Sequence, residues 1–492
     1  QQAYWVGRGK LFDLGNVGAH VYFEFETPQM DPERLSRAWQ SLIDRHDMLR
    51  VVFLPDGQQQ VLKEVPPYRV EVQDLSGQEP AVVATQLDSI RERMSHRIFA
   101  VDQWPLFELL LARLADQRTR ICISCDLLIA DLRSFQILLG EWFQLYANPQ
   151  VVLAPLELSF RDYVLAERAL HDSAAYARAE DYWRNRIPLL PPAPQLPLTT
   201  SPASLAHPRF ERRTATIPPE RWSRLKAHAG RIGVTPAAML LTVFAEVLRA
   251  WSEQPRFTIN LTIFNRMPLH PQVKSLVGEF TSVNLLEVDA SASESFQDRA
   301  RRIQEQLWTD LDHRQFHGVS VLRQLARKHG GIARALMPVV FTCDLAHDLR
   351  SQQHNYSWLL PGEVVYGISQ TPQLYLDHQA FEQVGALVIN WDAIEDLFPR
   401  GMLQDMFDAE LRFLQGLCDD EKTWSEATPN LVPPAQLEQR AVINATDTPI
   451  PERLVHDLFS DQVAQRPQQA AVIAAERTLT YEALSRHAHH VG

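Results

Sequence analysis

A proline-dense segment in the middle of the chain constrains the fold more than any other feature. Seven prolines lie between Ile187 and Pro208, namely Pro188, Pro191, Pro192, Pro194, Pro197, Pro202 and Pro208. Proline lacks a backbone N–H and fixes φ, so this density is incompatible with a helix or a central strand. Residues 188–208 are therefore predicted to form an extended linker. The 492 residues also exceed the ~250–300 residues at which a single core usually divides.

Strands and helices are predicted to alternate on both sides of this linker. The spacing of apolar residues changes repeatedly between the two-residue repeat of a strand and the 3.6-residue repeat of a helix. Before the linker we predict strands over 19–26 and 106–114 and helices over 32–45 and 82–95. After it we predict helices over 218–231, 236–251 and 293–311 and strands over 257–264 and 282–288. The order favours an α/β protein with an N-terminal lobe at 1–187 and a C-terminal lobe at 209–425.

The composition excludes several classes of partner. The chain is 45% hydrophobic and 22% charged, as in ordinary globular proteins, and its formal net charge is −12. This acidity argues against nucleic acid or an anionic membrane as the partner. No apolar run is long enough for a bilayer, and the N-terminus lacks a basic-then-apolar signal segment, so we expect a cytoplasmic protein without a membrane partner.

The cysteine and histidine spacings do not predict a metal site. Cys122 and Cys125 form a CxxC, but the chain has no second CxxC or ordered histidine pair to complete a zinc site. At positions i and i+3 of a strand they should point to opposite faces as buried structural residues. His313 and His317 have helical spacing without an HExxH glutamate, and we assign no metal to them or to the histidines near the C-terminal end.

Two aspartates, Asp126 and Asp131, are five residues apart between an apolar strand and an amphipathic helix. Residues 121–125 alternate like a half-buried strand, and apolar residues over 135–143 recur at helical spacing, which places the pair on a strand-to-helix turn. Asp131 could simply cap the helix, and Asp126 could be a solvated loop acid. Taken alone, these residues favour that interpretation over a functional site.

The pattern DxxxxDxxS, which ends at Ser134, resembles the signature of heterocyclization domains of nonribosomal peptide synthetases. These domains are relatives of condensation domains, which have HHxxxDG at this place. Other motifs of the family occur here in the family's order: AYWVGR at 3–8, RHDMLR at 45–50, TPAAM at 235–239, GEFTSVNLL at 278–286, PVVFT at 338–342 and SQTPQLYLDH at 369–378. Several short motifs in one order are far more specific than any one of them.

The resemblance implies two chloramphenicol-acetyltransferase-like lobes in a V-shaped pseudo-dimer with a central substrate tunnel. It implies that upstream and downstream carrier domains deliver thioester substrates on phosphopantetheine arms, and that the domain binds no cofactor of its own. The implied reaction is condensation of an acyl donor with Cys, Ser or Thr, followed by cyclodehydration to a thiazoline or oxazoline. The alternatives are a condensation domain that forms only the amide and a noncatalytic platform that docks carriers.

The resemblance also implies site residues. Asp377 is the expected acid–base group of cyclodehydration, with Thr342 orienting it or donating to the carbonyl oxygen and Asn265 holding the amide. Such a role requires burial away from cations, because an exposed aspartate has a pKa of ~3.9. From the alternation of residues 373–377 we predict a strand in which Gln373 and Tyr375 share the face of Asp377 and contact substrate.

The two motif aspartates receive different expected roles. The resemblance implies that Asp131 is structural and held by Arg266, with Ser134 structural beside it. Asp126 is expected either to face the cavity and orient the amine or to be a second structural acid. Glu279 stands where the family often has Asp, and Cys343 stands where Ser is frequent. These two departures put the choice of substrate in doubt more than the activity.

The C-terminal end resembles the first segment of an adenylation domain. LVHDLF at 454–459 and LTYEAL at 479–484 carry this resemblance. We expect 426–453 to be an interdomain linker and 454–492 to be the start of an adjoining adenylation domain. The usual start of the family's first motif is missing before Gln1, and no nucleotide-binding motif precedes Gly492. We therefore expect a piece of a larger synthetase without adenylation activity.

Overall fold

A computed structural model describes residues 1, 4, 5, 8, 14, 17–329, 337–345, 362–427, 429, 431–447 and 452–491. These residues form two compact units, Gln1–Val432 and Pro433–Gly492. The boundary between the units lies inside the linker predicted at 426–453. Ala3, Val6 and Gly7 of the first motif lie outside the described residues.

The first half of the larger unit contains six strands and five helices among its described residues. The strands are β1 (His20–Pro28), β2 (Val51–Phe53), β3 (Gln59–Val61), β4 (Glu71–Asp74), β5 (Phe107–Arg113) and β6 (Arg118–Asp126). The helices are α1 (Pro32–Arg45), α2 (Pro80–Ser95), α3 (Leu132–Ala147), α4 (Phe160–Ala169) and α5 (Ala174–Arg186). The strands and helices predicted before the linker are β1, β5, α1 and α2, within two residues at each end.

The second half continues the alternation. Its strands are β7 (Phe210–Ile217), β8 (Arg256–Phe264), β9 (Thr281–Asp289), β10 (Val339–Asp344), β11 (Glu363–Gln370), β12 (Leu376–Gln383) and β13 (Ala386–Ile394). Its helices are α6 (Pro219–Arg231), α7 (Pro236–Trp251), α8 (Phe296–Asp312), α9 (Gly318–His329) and α10 (Met402–Asp419).

Two mixed sheets form the framework of this unit. The first has the order β11-β1-β6-β5-β4 and the second has the order β7-β13-β12-β10-β8-β9. Strand β11 comes from the second half of the chain, yet it pairs antiparallel with β1 from His20↔Gln370 to Glu26↔Glu363. The C-terminal lobe predicted at 209–425 therefore contributes one strand, β11, to the sheet of the other half.

The two faces of strand β6 belong to different hydrophobic cores. Cys125 lies in the cluster of the first sheet with Trp39 and Trp142, whereas Cys122 lies in the cluster that continues to Phe244 and Trp391 of the second half. The predicted opposite orientation of the two cysteines is confirmed. Helix α7 begins after the N-cap Thr235, and its central residues from Ala238 to Leu248 are buried on every side, as expected for a helix that is apolar all round.

The proline-dense segment has little regular structure, because its only described helical turn is the 3₁₀ turn Pro202–Ser204. It is nevertheless attached to the second half of the chain. The Thr199 amide donates to the Leu397 carbonyl oxygen at 2.9 Å, and the Thr258 amide donates to the Pro192 carbonyl oxygen at 2.8 Å. The segment is thus extended but packed along the second lobe.

The smaller unit contains α11 (Pro434–Asn444), α12 (Val455–Gln465), β14 (Ala470–Ile473), β15 (Thr478–Thr480) and α13 (Tyr481–Val491). None of its described helices has a buried residue. Among the described residues, no single helix is long and apolar enough to cross a membrane, while the bent pair α6 and α7 meets the length and composition test when both are taken together.

Candidate active site

Asp131 is the N-cap of α3, and its carboxylate joins the two halves of the chain. Its Oδ1 accepts from the Ser134 amide at 2.7 Å, from the Ser134 hydroxyl at 2.6 Å and from Arg266 Nη2 at 2.7 Å. The side chain of Asp131 is completely buried, and that of Arg266 nearly so. The ion pair predicted between them is confirmed, and the cap alternative also holds, because one carboxylate serves both purposes.

The backbone around Gly278 completes this connection. The Asp131 amide donates to the Gly278 carbonyl oxygen at 3.1 Å, and the Gly278 amide donates to Ser134 Oγ at 3.0 Å. Arg266 also donates to the Leu276 carbonyl oxygen at 2.7 Å and lies over the Phe280 ring at 3.9 Å. Asp131, Ser134, Arg266 and Gly278 therefore form one buried cluster, called here the interlobe latch.

Asp126 ends β6 and is also held by an arginine. Arg8 Nη1 donates to its Oδ2 at 2.7 Å, and the Leu128 amide donates to its Oδ1 at 3.0 Å. The residue is 1% exposed, and this burial raises the pKa of the carboxyl group despite the positive charge of Arg8. Both oxygens have partners, so the geometry favours the structural alternative for Asp126 over direct contact with an amine.

Asp377 lies on β12 and is 9% exposed. Its Oδ2 accepts from Gln379 Nε2 at 2.8 Å, and its Oδ1 lies 3.4 Å from the Thr342 hydroxyl. The Thr342 hydroxyl is also 2.9 Å from the hydroxyl of Thr262 on β8. The structure thus brings Asp377 and Thr342 together on one face of the second sheet, as the sequence predicted, and adds Gln379 and Thr262 to them.

The environment of Asp377 favours its protonated form. Burial raises the pKa of Asp377 to about 7, and the negative charge of Asp392 on β13 adds to this, while the Gln379 hydrogen bond and the positive charge of Arg212 oppose it. The burial that the expected role requires is therefore present. A carboxyl group with a pKa near neutrality can accept and return a proton.

Arg212 and Asp392 form an ion pair beside Asp377, whose cross-strand partner is Asp392, and the sequence did not reveal this pairing. Arg212 Nε donates to Asp392 Oδ1 at 2.6 Å, and Nη2 donates to Oδ2 at 2.5 Å, so the pair is bidentate. The Ser369 amide and hydroxyl on β11 both donate to Asp392 Oδ2 at 3.0 Å. Because Arg212 is neutralised by Asp392, it lowers the pKa of Asp377 less than a free guanidinium would.

Asn265 follows the end of β8 and is 8% exposed. Its backbone is fixed, because its carbonyl oxygen accepts from the Tyr163 hydroxyl at 2.8 Å and its amide donates to the Phe280 carbonyl oxygen at 3.3 Å. The side-chain amide makes no hydrogen bond to another side chain or to the backbone within the described part of the chain. Its donor and acceptor are therefore open to a substrate amide.

The strand predicted over 373–377 is wrong at its start. Strand β12 begins only at Leu376, and Gln373 has a φ of +68°. The Leu374 amide is bonded to the Thr371 carbonyl oxygen, so Pro372 and Gln373 occupy the two central positions of a turn whose third residue needs a positive φ. Gln373 and Tyr375 therefore precede the strand, so strand alternation does not place them on the face of Asp377.

Glu279 is a site residue that sequence reasoning recorded only as a departure from a motif. It follows Gly278 of the interlobe latch, is 6% exposed, and accepts from the Thr281 amide at 2.6 Å. Burial raises the pKa of Glu279 to about 7. Within the described residues, no group of three or more His, Cys, Asp or Glu side chains could hold a metal ion.

The family model for the condensation domain matches residues 18–439. The chain belongs to the condensation-domain family. The cyclization–docking bidomain of the nonribosomal peptide synthetase EpoB from Sorangium cellulosum is similar to it, with 41% identity and a TM-score of 0.78 over 86% of this chain and 84% of that one. This condensation-family domain therefore lies in the heterocyclization branch and has the two-lobed chloramphenicol-acetyltransferase-like fold.

Two curated relatives are much longer than this condensation-family domain. Pyochelin synthetase PchF of Pseudomonas aeruginosa is 38% identical over 489 residues, which are 99% of this chain and 26% of the relative. Phenyloxazoline synthase MbtB of Mycobacterium tuberculosis is 37% identical over 494 residues, which are 98% of this chain and 34% of the relative. The chain thus spans about a quarter to a third of these relatives.

Proposed function

We propose that this domain joins a carrier-bound acyl donor to carrier-bound Cys, Ser or Thr and then closes the new residue to a thiazoline or oxazoline. The observation that carries the proposal is a buried carboxyl group, Asp377, with a pKa of about 7 and the Thr342 hydroxyl 3.4 Å away. The similarity to a cyclization domain supports it. So does the name of the second curated relative, which describes a phenyloxazoline synthase.

The cyclodehydration step needs a group that moves a proton twice. The side-chain thiol or hydroxyl attacks the amide carbon, and Asp377 takes its proton as the new bond forms. Asp377 then returns that proton to the oxyanion and moves the amide N–H proton to the resulting hydroxyl, which leaves as water when the C=N bond forms. Asn265 would hold the amide through its open side chain, and Thr342 would orient the carboxyl group or donate to the carbonyl oxygen.

The other site residues would position the reacting groups. The interlobe latch would set the distance between the two halves of the site, and Asp126 would fix the strand-to-helix turn through Arg8. Gln373 and Tyr375 would contact substrate from the turn before β12. Upstream and downstream carrier domains would supply both substrates on phosphopantetheine arms, no cofactor would be bound by the domain itself, an adenylation domain would adjoin it, and the location would be the cytoplasm.

The decisive measurement is intact mass of the downstream carrier after reaction with a loaded upstream carrier. Amide formation followed by loss of one further water supports the proposal. Amide without that loss would instead identify a domain that only condenses, and absence of any acyl transfer would identify a docking platform.

Two variants test the assigned roles. Because Asp377 and Thr342 act after the amide exists, Asp377→Asn and Thr342→Ala should accumulate uncyclized amide on the downstream carrier. Asp289→Asn is the matched control, since Asp289 is a half-exposed carboxylate at the opposite end of the same sheet, where it pairs with Arg256. Equal loss of amide formation and cyclization in a folded Asp377→Asn protein would contradict the assignment.

A further inference from the structure

We infer that Glu279 is the proton acceptor of the amide-forming step, so that each half of the reaction has its own carboxylate. The inference rests on the proposed function, because it assigns a residue to its first step. It divides the work between Glu279, beside the interlobe latch, and Asp377, on β12.

Glu279 is a buried carboxylate near the latch with which no described Lys, Arg or His side chain forms an ion pair. Asp131 and Asp126 each accept from an arginine at 2.7 Å, and Asp392 is paired with Arg212. Glu279 is 6% exposed and accepts from the Thr281 amide, and the positive charge that opposes the effect of burial on its pKa is the amino group of Gln1. A buried carboxylate without an ion-paired side chain is costly to fold around and is characteristic of acid–base sites.

The strand register places the neighbour of Glu279 on the same face as the cyclization residues. Val283 of β9 pairs with Thr262 of β8, and Thr262 pairs with Thr342 of β10. Thr281 lies two residues before Val283 and so projects to the same side of the sheet. Thr281, whose amide donates to Glu279, therefore projects from the same face as Thr342.

Tyr4 lies near this face. Its hydroxyl is hydrogen-bonded to the Thr281 side chain, and burial together with the nearby negative charges of Glu279, Asp377 and Asp131 raises its pKa. Tyr4 therefore stays protonated at neutral pH and adds no charge beside Glu279.

The chemistry of the first step needs such an acceptor. The neutral α-amine attacks the donor thioester carbon, the N–C bond forms, and the C–S bond breaks. The nitrogen then loses one proton to Glu279, and Glu279 returns this proton to the departing thiolate. The step is balanced without any further reactant. Asp126 and Asp131 are less suited to this role, because each of them is already paired with an arginine.

The test separates the two steps in single-turnover reactions. Glu279→Gln should slow amide formation by ~100-fold or more, the usual effect of removing a general base. The same variant should still cyclize an amide that was preloaded on the downstream carrier. Glu279→Asp keeps the carboxylate and should restore part of the rate of amide formation. Asp377→Asn should show the reverse pattern, and unfolding curves establish that each variant is folded.

The outcomes distinguish this inference from the proposed function. Absence of cyclized product with the unaltered chain overturns the proposed function. If the unaltered chain cyclizes but a folded Glu279→Gln protein slows both steps equally, or slows neither, the assignment of Glu279 is wrong. If Glu279→Gln does not fold, Glu279→Asp decides in its place. It keeps the charge but withdraws the carboxylate by one methylene group, and a rate of amide formation equal to that of the unaltered chain would overturn the inference.

Discussion

Replacing Asp377 by asparagine should stabilise the protein while it abolishes cyclization. Folding raises the pKa of Asp377 from 3.8 to about 7, which is about 3 pH units. Each unit is worth ~1.4 kcal/mol, so the ceiling of the destabilisation caused by the ionised carboxylate is ~4 kcal/mol. Asparagine has nearly the same shape and can still accept from Gln379, but it has no charge to bury.

The sign of the pH dependence follows from proton binding. Between pH 3.8 and about 7 the folded state holds a proton on Asp377 that the unfolded chain has already lost. Stability therefore falls as pH rises through this window and levels off above it. We expect the stability of Asp377→Asn relative to the unaltered chain to increase by ~2–3 kcal/mol between pH 5 and pH 8.

Urea unfolding at several pH values between 5 and 8 measures this difference. Asp289→Asn is the control, because hydrogen bonds from Ser291 outweigh burial and lower the pKa of Asp289, which therefore stays ionised over the whole range. Its difference from the unaltered chain should not depend on pH. A difference for Asp377→Asn that is equally flat would refute the argument that Asp377 is buried with a raised pKa.

Two further predictions concern the interlobe latch. Asp131→Ala should lower the free energy of unfolding by ~3–5 kcal/mol, because it leaves its arginine partner buried without a counter-ion. Arg184→Ala is the control, because it breaks only exposed ion pairs within α5 and should cost less than ~1 kcal/mol. Equal values in urea unfolding would contradict the role of the latch. Gly278→Ala would bring a Cβ within 2.3 Å of the Phe160 ring. It should cost ~1–3 kcal/mol and slow both half-reactions, and an unchanged melting temperature would refute the tight approach.

The helices and strands were largely predictable from the sequence, because the spacing of apolar residues and the helix-capping residues depend only on neighbouring positions in the chain. Helix α7 was predicted to the residue, since Thr235 caps it and an apolar stretch follows. The strand at Gln373 was predicted wrongly, because alternation of side chains does not reveal a positive φ. The Pro372 that precedes it was the available signal for a turn.

The site was predictable only where motifs named its residues. Asp377, Thr342 and the Asp131–Arg266 pair are brought together as expected. The partners Arg212 and Asp392 are 180 residues apart in sequence, and only the pairing of β7 with β13 brings them together. The spacing of apolar residues along the sequence does not reveal such long-range pairing. The groups that set the pKa of Asp377 could therefore not be derived from the sequence.

The position of β11 in the sheet of the first half has a mechanical consequence. Only residues 371–375 separate Gln370, at the end of this strand in the first sheet, from Leu376, which begins the strand that carries Asp377. Ser369 meanwhile holds Asp392 from the same strand. Any sliding of the first sheet past the second must be absorbed by this short tether and will displace Asp377 or its neighbours. A displacement of β11 in the first sheet would thus reach the strand that carries Asp377 through only five residues of chain.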